Sequence, residues 1–554
     1  MRERISFSSP PWAERRRVLI SERHTLNYAN FVPRMCDLYG DRTAFVIDHP
    51  ISYPGFEGSV LSYRDVNRIV SRMAGALRAL GVSRGDRVGL ITMNRVEMAF
   101  CNFACARIGA LPVPMNFMLR PNEIEHIVDK AGIELLVCDP DVFHGTIADP
   151  SAVPNVKTWV MIDCDDAPPG IVSMRHLMTD QPDHVEPVEP ASPKDTALLF
   201  FTSGTTGFPK GAMLSHAATM VHVQADARKG ALRPKQPEWV ALAVMPVAHA
   251  AGYAMMLLNL AIGNVTYFLS KFDPQAIFEA VERVRPAIFS GTPTMFRMLL
   301  DAGAAKVDWS SIRIFGGGAD AFDDDLVHTV RLLASRRGPL STRRLPWFIR
   351  GYGMAEANSF VAQSPPFEAG DNCCGWVRKP VEYRLVDEDG NDVPKGQAGE
   401  LLIRGPNVTT GYWNDPEATA QAIDTDGWFH TGDVLRRGKW GMLYFVGRSG
   451  DIIKSGGYKI SANEIDQTLC KHPDVVQSAT VGIPHEVKGE RPVSAVVLKP
   501  GATSTPEEIL AWARERIAAY KCPRAIVPVE EIPMTFSMKP KRIEIREQLR
   551  RELT

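Results

Sequence analysis

Residues 197–216 read ALLFFTSGTTGFPKGAMLSH. Ala197 to Phe201 is an unbroken apolar run, the pattern of a buried strand. Thr202-Ser203-Gly204-Thr205-Thr206-Gly207 follows as a polar, glycine-rich loop. Its hydroxyls, and the backbone N–H groups that glycine leaves accessible, suit phosphate oxygens; Lys210 adds a positive charge. The string is not a P-loop, which needs Gly where Pro209 stands and Ser or Thr after its lysine, where Gly211 stands here. A loop of this composition in isolation is as often a plain turn, and the rest of the chain has to decide.

Outward from this loop the pattern is of alternating helices and strands. Ser62 is a good N-cap with Asp65 three residues on. Val66, Ile69, Val70, Met73, Leu77 and Leu80 then share one helical face, and Gly81 closes the helix. Arg87 to Thr92 reads as a short strand, and another cycle ends in a strand at Glu134 to Cys138. Repeated αβ units imply parallel sheets covered by helices. Asp180 to Asp195 is acidic and proline-rich, an exposed connector, and Ser335 to Arg344 (SRRGPLSTRR) reads as a basic surface loop. From about Arg448 the pattern becomes a compact α+β unit whose clearest helix is Glu507 to Ala519, after Thr505-Pro506.

Composition bounds the function. The chain has 554 residues, 45% hydrophobic and 23% charged, with a net charge of −1, so it is globular and carries no electrostatic footprint for nucleic acid. Nine scattered cysteines are an odd count and do not form a secreted disulfide framework; Cys101 and Cys105 share a helix face and read as core. A reducing, cytoplasmic location is expected. Ala250 to Leu269 lacks any charge, but Asn259, Gly263 and Asn264 interrupt it, so a buried helix turning into a strand is expected and no membrane span.

The string TSGTTGFPKG (202–211) resembles the phosphate loop of the adenylate-forming superfamily, which includes acyl-CoA synthetases, luciferases and adenylation domains. Other strings follow in that family's order. Gly317-Gly318-Ala319 is similar to its adenine-side turn, GYGMAE (351–356) to its YGMTE motif and GWFHTGD (427–433) to its GWxxTGD motif. Val446-Gly447-Arg448 through GGYKI (456–460) resembles the hinge region, and PMTFSMK (533–539) the lysine motif P-x-T-x-S-G-K.

The resemblance implies an α/β fold: a large N-terminal domain of helix-covered sheets, residues 1–448, and a small mobile α+β lid, residues 449–554, with Gly450 as hinge. It implies two steps. A carboxylate attacks the α-phosphate of ATP to give acyl-AMP and pyrophosphate, and the thiol of coenzyme A then takes the acyl group. An anion meets an anion in the first step, so the site has to neutralise charge.

On this resemblance Thr202, Ser203, Gly204, Thr205, Thr206 and Lys210 hold the β- and γ-phosphates, Thr206 being counted with the catalytic groups. Glu356 is the Mg²⁺ ligand, and Asp433 with Arg448 takes the ribose. Tyr352 stacks on adenine, beside Gly317, Gly318, Ala319, Gly353 and Met354. Lys539 is the catalytic cation of adenylation. His249 gates the acyl pocket, with Tyr253 and Gly318 in its wall, and Lys454, Gly456, Gly457 and Tyr458 line the coenzyme A route. No Asp stands near His249 to bind an ammonium, so a hydrophobic acid, fatty or bulky aryl, is expected in place of an amino acid. No carrier domain follows Thr554, which favours free coenzyme A; an adenylation-only enzyme handing acyl-AMP to a partner is the alternative. Oligomeric state, a homodimer included, stays open.

Three positions depart from the family pattern. Ala355 replaces the threonine of YGMTE, removing a hydroxyl directed at the α-phosphate. Gly450 stands where the hinge usually has Asp or Lys, and Met538 replaces the glycine before the catalytic lysine. Together they bear most on the thioester step.

Overall fold

The computed structural model describes residues 26–147, 150–190, 192–202, 209–231, 239–320, 322–337, 343–455, 458–486, 488–534 and 540–553. By backbone contact the chain forms two compact units. The first takes residues 1–204, 208–382 and 404–427, and the second 205–207, 383–403 and 428–554. The segment 449–554 therefore lies wholly in the second unit, which also takes 383–403 and 428–448.

In the first unit one sheet is entirely parallel, in the order Leu111–Asn116, Arg87–Thr92, Leu135–Cys138, Thr158–Met161, Ile171–Ser173. The helix Tyr63–Ala79 starts at the expected cap: Asp65 N donates to Ser62 Oγ at 3.1 Å and Ser62 N to Asp65 Oδ2 at 3.0 Å. Such reciprocal caps satisfy two amides that the helix itself cannot. The helix Val96–Ile108 is buried on every face, and Cys101 and Cys105 lie inside it. None of the nine cysteines is in a disulfide.

A second sheet runs Thr43–Tyr53, Val265–Phe268, Val240–Ala243, Ile288–Gly291, Ile314–Gly317, Trp347–Tyr352, each parallel to its neighbour. Phe289, Phe296, Trp309, Phe315, Phe322 and Phe348 pack one face of it, with Phe322 and Phe348 ring centroids 5.2 Å apart. The uncharged stretch is the helix Ala250–Ile262 followed by the strand Val265–Phe268. Gly263 ends that helix at φ +74°, where a Cβ would sit 2.6 Å from the Tyr39 ring, so only glycine fits both the conformation and the space. Among the described residues no helix is long and apolar enough to cross a membrane.

The second unit holds an antiparallel meander of Ala398–Arg404, Phe429–Arg437 and Leu443–Arg448. It also holds a smaller sheet, Tyr458–Ser461, Ile452–Ser455, Gly489–Leu498, Val475–His485, with Ile526–Pro528 parallel to Gly489–Leu498. Two apolar clusters back this sheet, one around Ile453, Ile465 and Ile509 and one around Val481, Ile545 and Leu549.

Two sequence expectations are corrected here. The helix after Thr505 runs Pro506–Arg514 and stops short of Ala519, because the chain turns there to bury Ile517 against the Ile509 cluster. The basic stretch 335–344 is not simply a loop: Arg336–Arg337 pairs antiparallel with Arg343–Arg344.

Candidate active site

The strand expected at Ala197 to Phe201 is Thr196–Thr202, and it pairs antiparallel with Lys210–Ser215, setting Thr202 opposite Lys210. Ser203, Gly204, Thr205 and Thr206 lie outside the described residues. The segment Thr409–Trp413 then runs along the outer strand of this hairpin. Met213 N donates to Gly411 O at 3.0 Å, Trp413 N to Gly211 O at 2.8 Å, and Ala212 bridges Tyr412. This pairing carries Tyr412 to the loop's exit, where Lys210 Nζ sits 5.5 Å from the centre of its ring. A cation over an aromatic face is attracted by the ring quadrupole.

Glu356 arrives from the other side, on a short turn after the strand Trp347–Tyr352. Thr202 Oγ1 and Tyr412 Oη each donate to Glu356 Oε1 at 3.2 Å. Both bonds fall on one oxygen, which leaves Oε2 without a hydrogen bond among the described residues. A carboxylate held by one oxygen and offering the other is a suitable hard ligand for Mg²⁺, which takes one or two carboxylates and completes its shell from substrate phosphates and water.

The Glu356 turn is pinned from several directions. Thr409 N donates to Glu356 O at 2.6 Å. Asn358 Nδ2 donates to Ala218 O at 2.9 Å, and Asn407 Nδ2 to Ala357 O at 3.1 Å. Asn358 and Ser359 both have positive φ (48° and 69°), which folds the chain back onto Gly353. A Cβ on Gly353 would lie 1.8 Å from Ser359 O. Gly353→Ala is therefore expected to lose about 1–3 kcal/mol of stability, read as a lowered melting temperature, and to displace Glu356, read as lost ATP–pyrophosphate exchange.

In the turn expected to face adenine, Gly317 lies next to Arg350 in register, and Ala319 adopts φ +67°. A Cβ on Gly317 would meet Phe322 at 2.6 Å, so close packing favours glycine there, and one on Gly318 would make a tight contact of 3.1 Å with Gly351 O. Tyr352 is partly buried at the end of its strand, and Gly353 and Met354 lead directly to Glu356. Ala355 packs, half-buried, against the main apolar cluster of the first unit.

His249 sits at the N-terminus of the helix Ala250–Ile262, partly buried, and its Nε2 meets Asn116 Nδ2 at 2.8 Å. Burial pushes its pKa down to about 4, so the ring is neutral near pH 7. Tyr253, one turn on, is fully buried: its hydroxyl meets that of Tyr28, and its ring packs near Phe103 and Phe200. The structure thus places His249 at the partly buried start of this helix and Tyr253 within the apolar core.

In the second unit Asp433 and Arg448 face each other across adjacent strands, with Arg448 Nε 3.1 Å from Asp433 Oδ1. Thr431 Oγ1 accepts from Asp433 N at 3.1 Å and donates to Leu401 O at 2.7 Å, which orients the buried aspartate. A Cβ on Gly450 would meet nothing within 4 Å among the described residues, so space does not demand glycine there. Its neighbour Asp451 pairs with Arg542 at 3.4 Å. Lys454 is exposed and pairs with Glu388 at 3.2 Å, a surface pair of little energetic weight. Tyr458 begins a strand paired with Ile452–Ser455. Gly456, Gly457, Met538 and Lys539 lie outside the described residues.

Sequence reasoning missed Asn116, Asn358, Asn407, Thr409 and Tyr412. The two asparagines near the turn and Tyr412 have no motif spacing to mark them; Asn116, at the carboxyl end of a parallel strand, occupies a position where ligands commonly bind.

The pattern of the AMP-binding enzyme family matches residues 32–413, and that of the AMP-binding enzyme C-terminal domain matches residues 464–539. The chain belongs to the AMP-binding enzyme family. It is similar to feruloyl-CoA synthase of an Amycolatopsis species, 34% identical over 88% of this chain and 94% of that protein. It is also similar to 4-coumarate–CoA ligase 2 of Oryza sativa subsp. japonica, 31% identical over 92% of this chain and 91% of that one. An anthranilate CoA ligase in complex with anthranoyl-AMP shares the fold with a TM-score of 0.83 at 25% identity, covering 95% of this chain and 98% of that chain. This AMP-binding enzyme is an acid–thiol ligase: it activates a hydrophobic carboxylic acid to an acyl-adenylate and passes the acyl group to a thiol.

Proposed function

We propose that this AMP-binding enzyme is an aryl-acid:CoA ligase that uses ATP, Mg²⁺ and free coenzyme A. The observation that carries the reading is the convergence of Thr202, Lys210 and Tyr412 with Glu356, which gathers the cation, hydroxyls and carboxylate that a metal-bound triphosphate needs. The aryl preference within hydrophobic acids is supported by the feruloyl-, coumarate- and anthranilate-activating relatives.

In this reading Thr202 to Thr206 and Lys210 neutralise the β- and γ-phosphates while the carboxylate approaches the α-phosphate. Glu356 would hold Mg²⁺, which when bound would screen the phosphate charge. Asp433 accepts from the ribose hydroxyls and Arg448 fixes its carboxylate. Lys539 supplies the cation of the adenylation step, and His249, neutral, borders the acyl group. Residues 449–554 act as the moving lid, Gly450 as its hinge, and Lys454 with the segment 456–458 lines the thiol route.

The test is a panel of cinnamic, benzoic, indolic and medium- to long-chain fatty acids, each assayed for pyrophosphate release and for acyl-CoA. The expected result is the highest kcat/KM on an aryl acid, with AMP and acyl-CoA formed together. A fatty acid as best substrate overturns the aryl assignment. Pyrophosphate release without acyl-CoA on the best acid identifies an adenylation-only enzyme, the fate that Ala355, Gly450 and Met538 would favour.

A further inference from the structure

Two asparagines hold the segment that carries His249. The strands Arg87–Thr92 and Leu111–Asn116 run parallel with Thr92 opposite Asn116, so Asn94 and Asn116 emerge at the same end of the sheet. Asn94 Oδ1 accepts from Val247 N at 3.1 Å, and its Nδ2 donates to Leu269 O at 3.2 Å. Behind the segment, the helix Ala250–Ile262 closes so tightly that a Cβ on Gly252 would lie 2.3 Å from Pro246 O. The backbone around His249 is thus held from two sides.

The ring is held by Asn116, which is buried (5% exposed). Asn116 Oδ1 accepts from Met118 N at 2.8 Å, and an amide oxygen only accepts. That bond sets the amide's orientation: its NH₂ faces His249 Nε2, 2.8 Å away, and donates to it. A neutral imidazole whose Nε2 accepts carries its proton on Nδ1.

We propose that Asn116 is a positioning residue that holds His249 as the Nδ1–H tautomer with Nε2 occupied, so that His249 does not act as a base from Nε2. The low pKa that burial imposes is consistent with this, since a neutral ring is what the pairing requires. The inference rests on the ligase reading only for its kinetic consequence; the tautomer itself is a property of the chain.

The experiment uses the full chain labelled with ¹⁵N-histidine, with the His249 signals assigned by their loss in His249→Gln. The expected wild-type spectrum shows a protonated Nδ1 and an unprotonated Nε2. Asn116→Asp is nearly isosteric and keeps an acceptor for Met118 N, but it turns the donor facing Nε2 into an acceptor. It is expected to move the proton to Nε2 and to lower the rate of thioester formation from acyl-AMP and coenzyme A, relative to pyrophosphate exchange, by about tenfold or more. Asn116→Ala, which removes the partner, is expected to give a mixture of tautomers. A proton on Nε2 in the wild type overturns the proposal. So does an Asn116→Asp enzyme, folded by its melting temperature, in which the His249 spectrum or the ratio of the two half-reactions is unchanged. If no aryl acid is turned over, the ligase reading falls and the spectrum still decides the tautomer.

Discussion

Lys539→Ala is expected to lower ATP–pyrophosphate exchange roughly a hundredfold. The reacting carboxylate and the α-phosphate are both anions, and their approach concentrates negative charge that the ground state keeps apart. A single charged donor placed at that point commonly stabilises the transition state by ~3–4 kcal/mol, and each ~1.4 kcal/mol is a factor of ten in rate. Alanine removes the charge and leaves the other phosphate contacts. The thioester half-reaction, started from synthetic acyl-AMP and coenzyme A, forms no new phosphate bond and needs no such cation. It is therefore expected to fall far less than the exchange rate. Exchange at the wild-type rate would remove Lys539 from the first step, with Lys541, two residues on, the next cation to examine. Lys541 pairs with Glu544 at 3.0 Å.

Glu356→Gln is expected to lower adenylation by about a hundredfold and to move half-saturation by Mg²⁺ to higher concentration. Glutamine keeps a carbonyl oxygen for Thr202 and Tyr412, whose bonds at 3.2 Å both fall on Oε1, so the turn should hold its shape. What is lost is the charge and the second oxygen. An unchanged melting temperature together with a shifted Mg²⁺ titration separates a lost ligand from a distorted turn. An unchanged Mg²⁺ titration would show that the ion is held elsewhere.

Much of this architecture is legible in the chain itself. The helix Tyr63–Ala79 is readable because its cap and its apolar face are short-range features. The hairpin strand Thr196–Thr202 is readable because five apolar residues lead into a run of turn-forming ones. The helix Pro506–Arg514 shows where such reading ends: its periodic pattern continues past Arg514, but burial of Ile517 bends the chain away. Tyr253 shows the same limit, since an apolar stretch beside His249 does not reveal which side chains line a pocket and which fill the core.

By itself the sequence determined the order of the motifs, and with it the family, the two-step chemistry and the residue types that each step needs. Those follow from local patterns, in which a loop's composition or a helix's period is complete within about twenty residues. Only the tertiary structure decided which distant groups meet. Tyr412 reaches Glu356 across 56 residues of sequence, and Thr202 reaches the same oxygen across 154. Asn116 reaches His249 across 133 residues. Those meetings depend on strand order and on which segment pairs along the Lys210–Ser215 edge, and neither is encoded in any single window of the chain. Packing around Glu356 and His249, and no local pattern, decided which oxygen of the one and which nitrogen of the other is engaged.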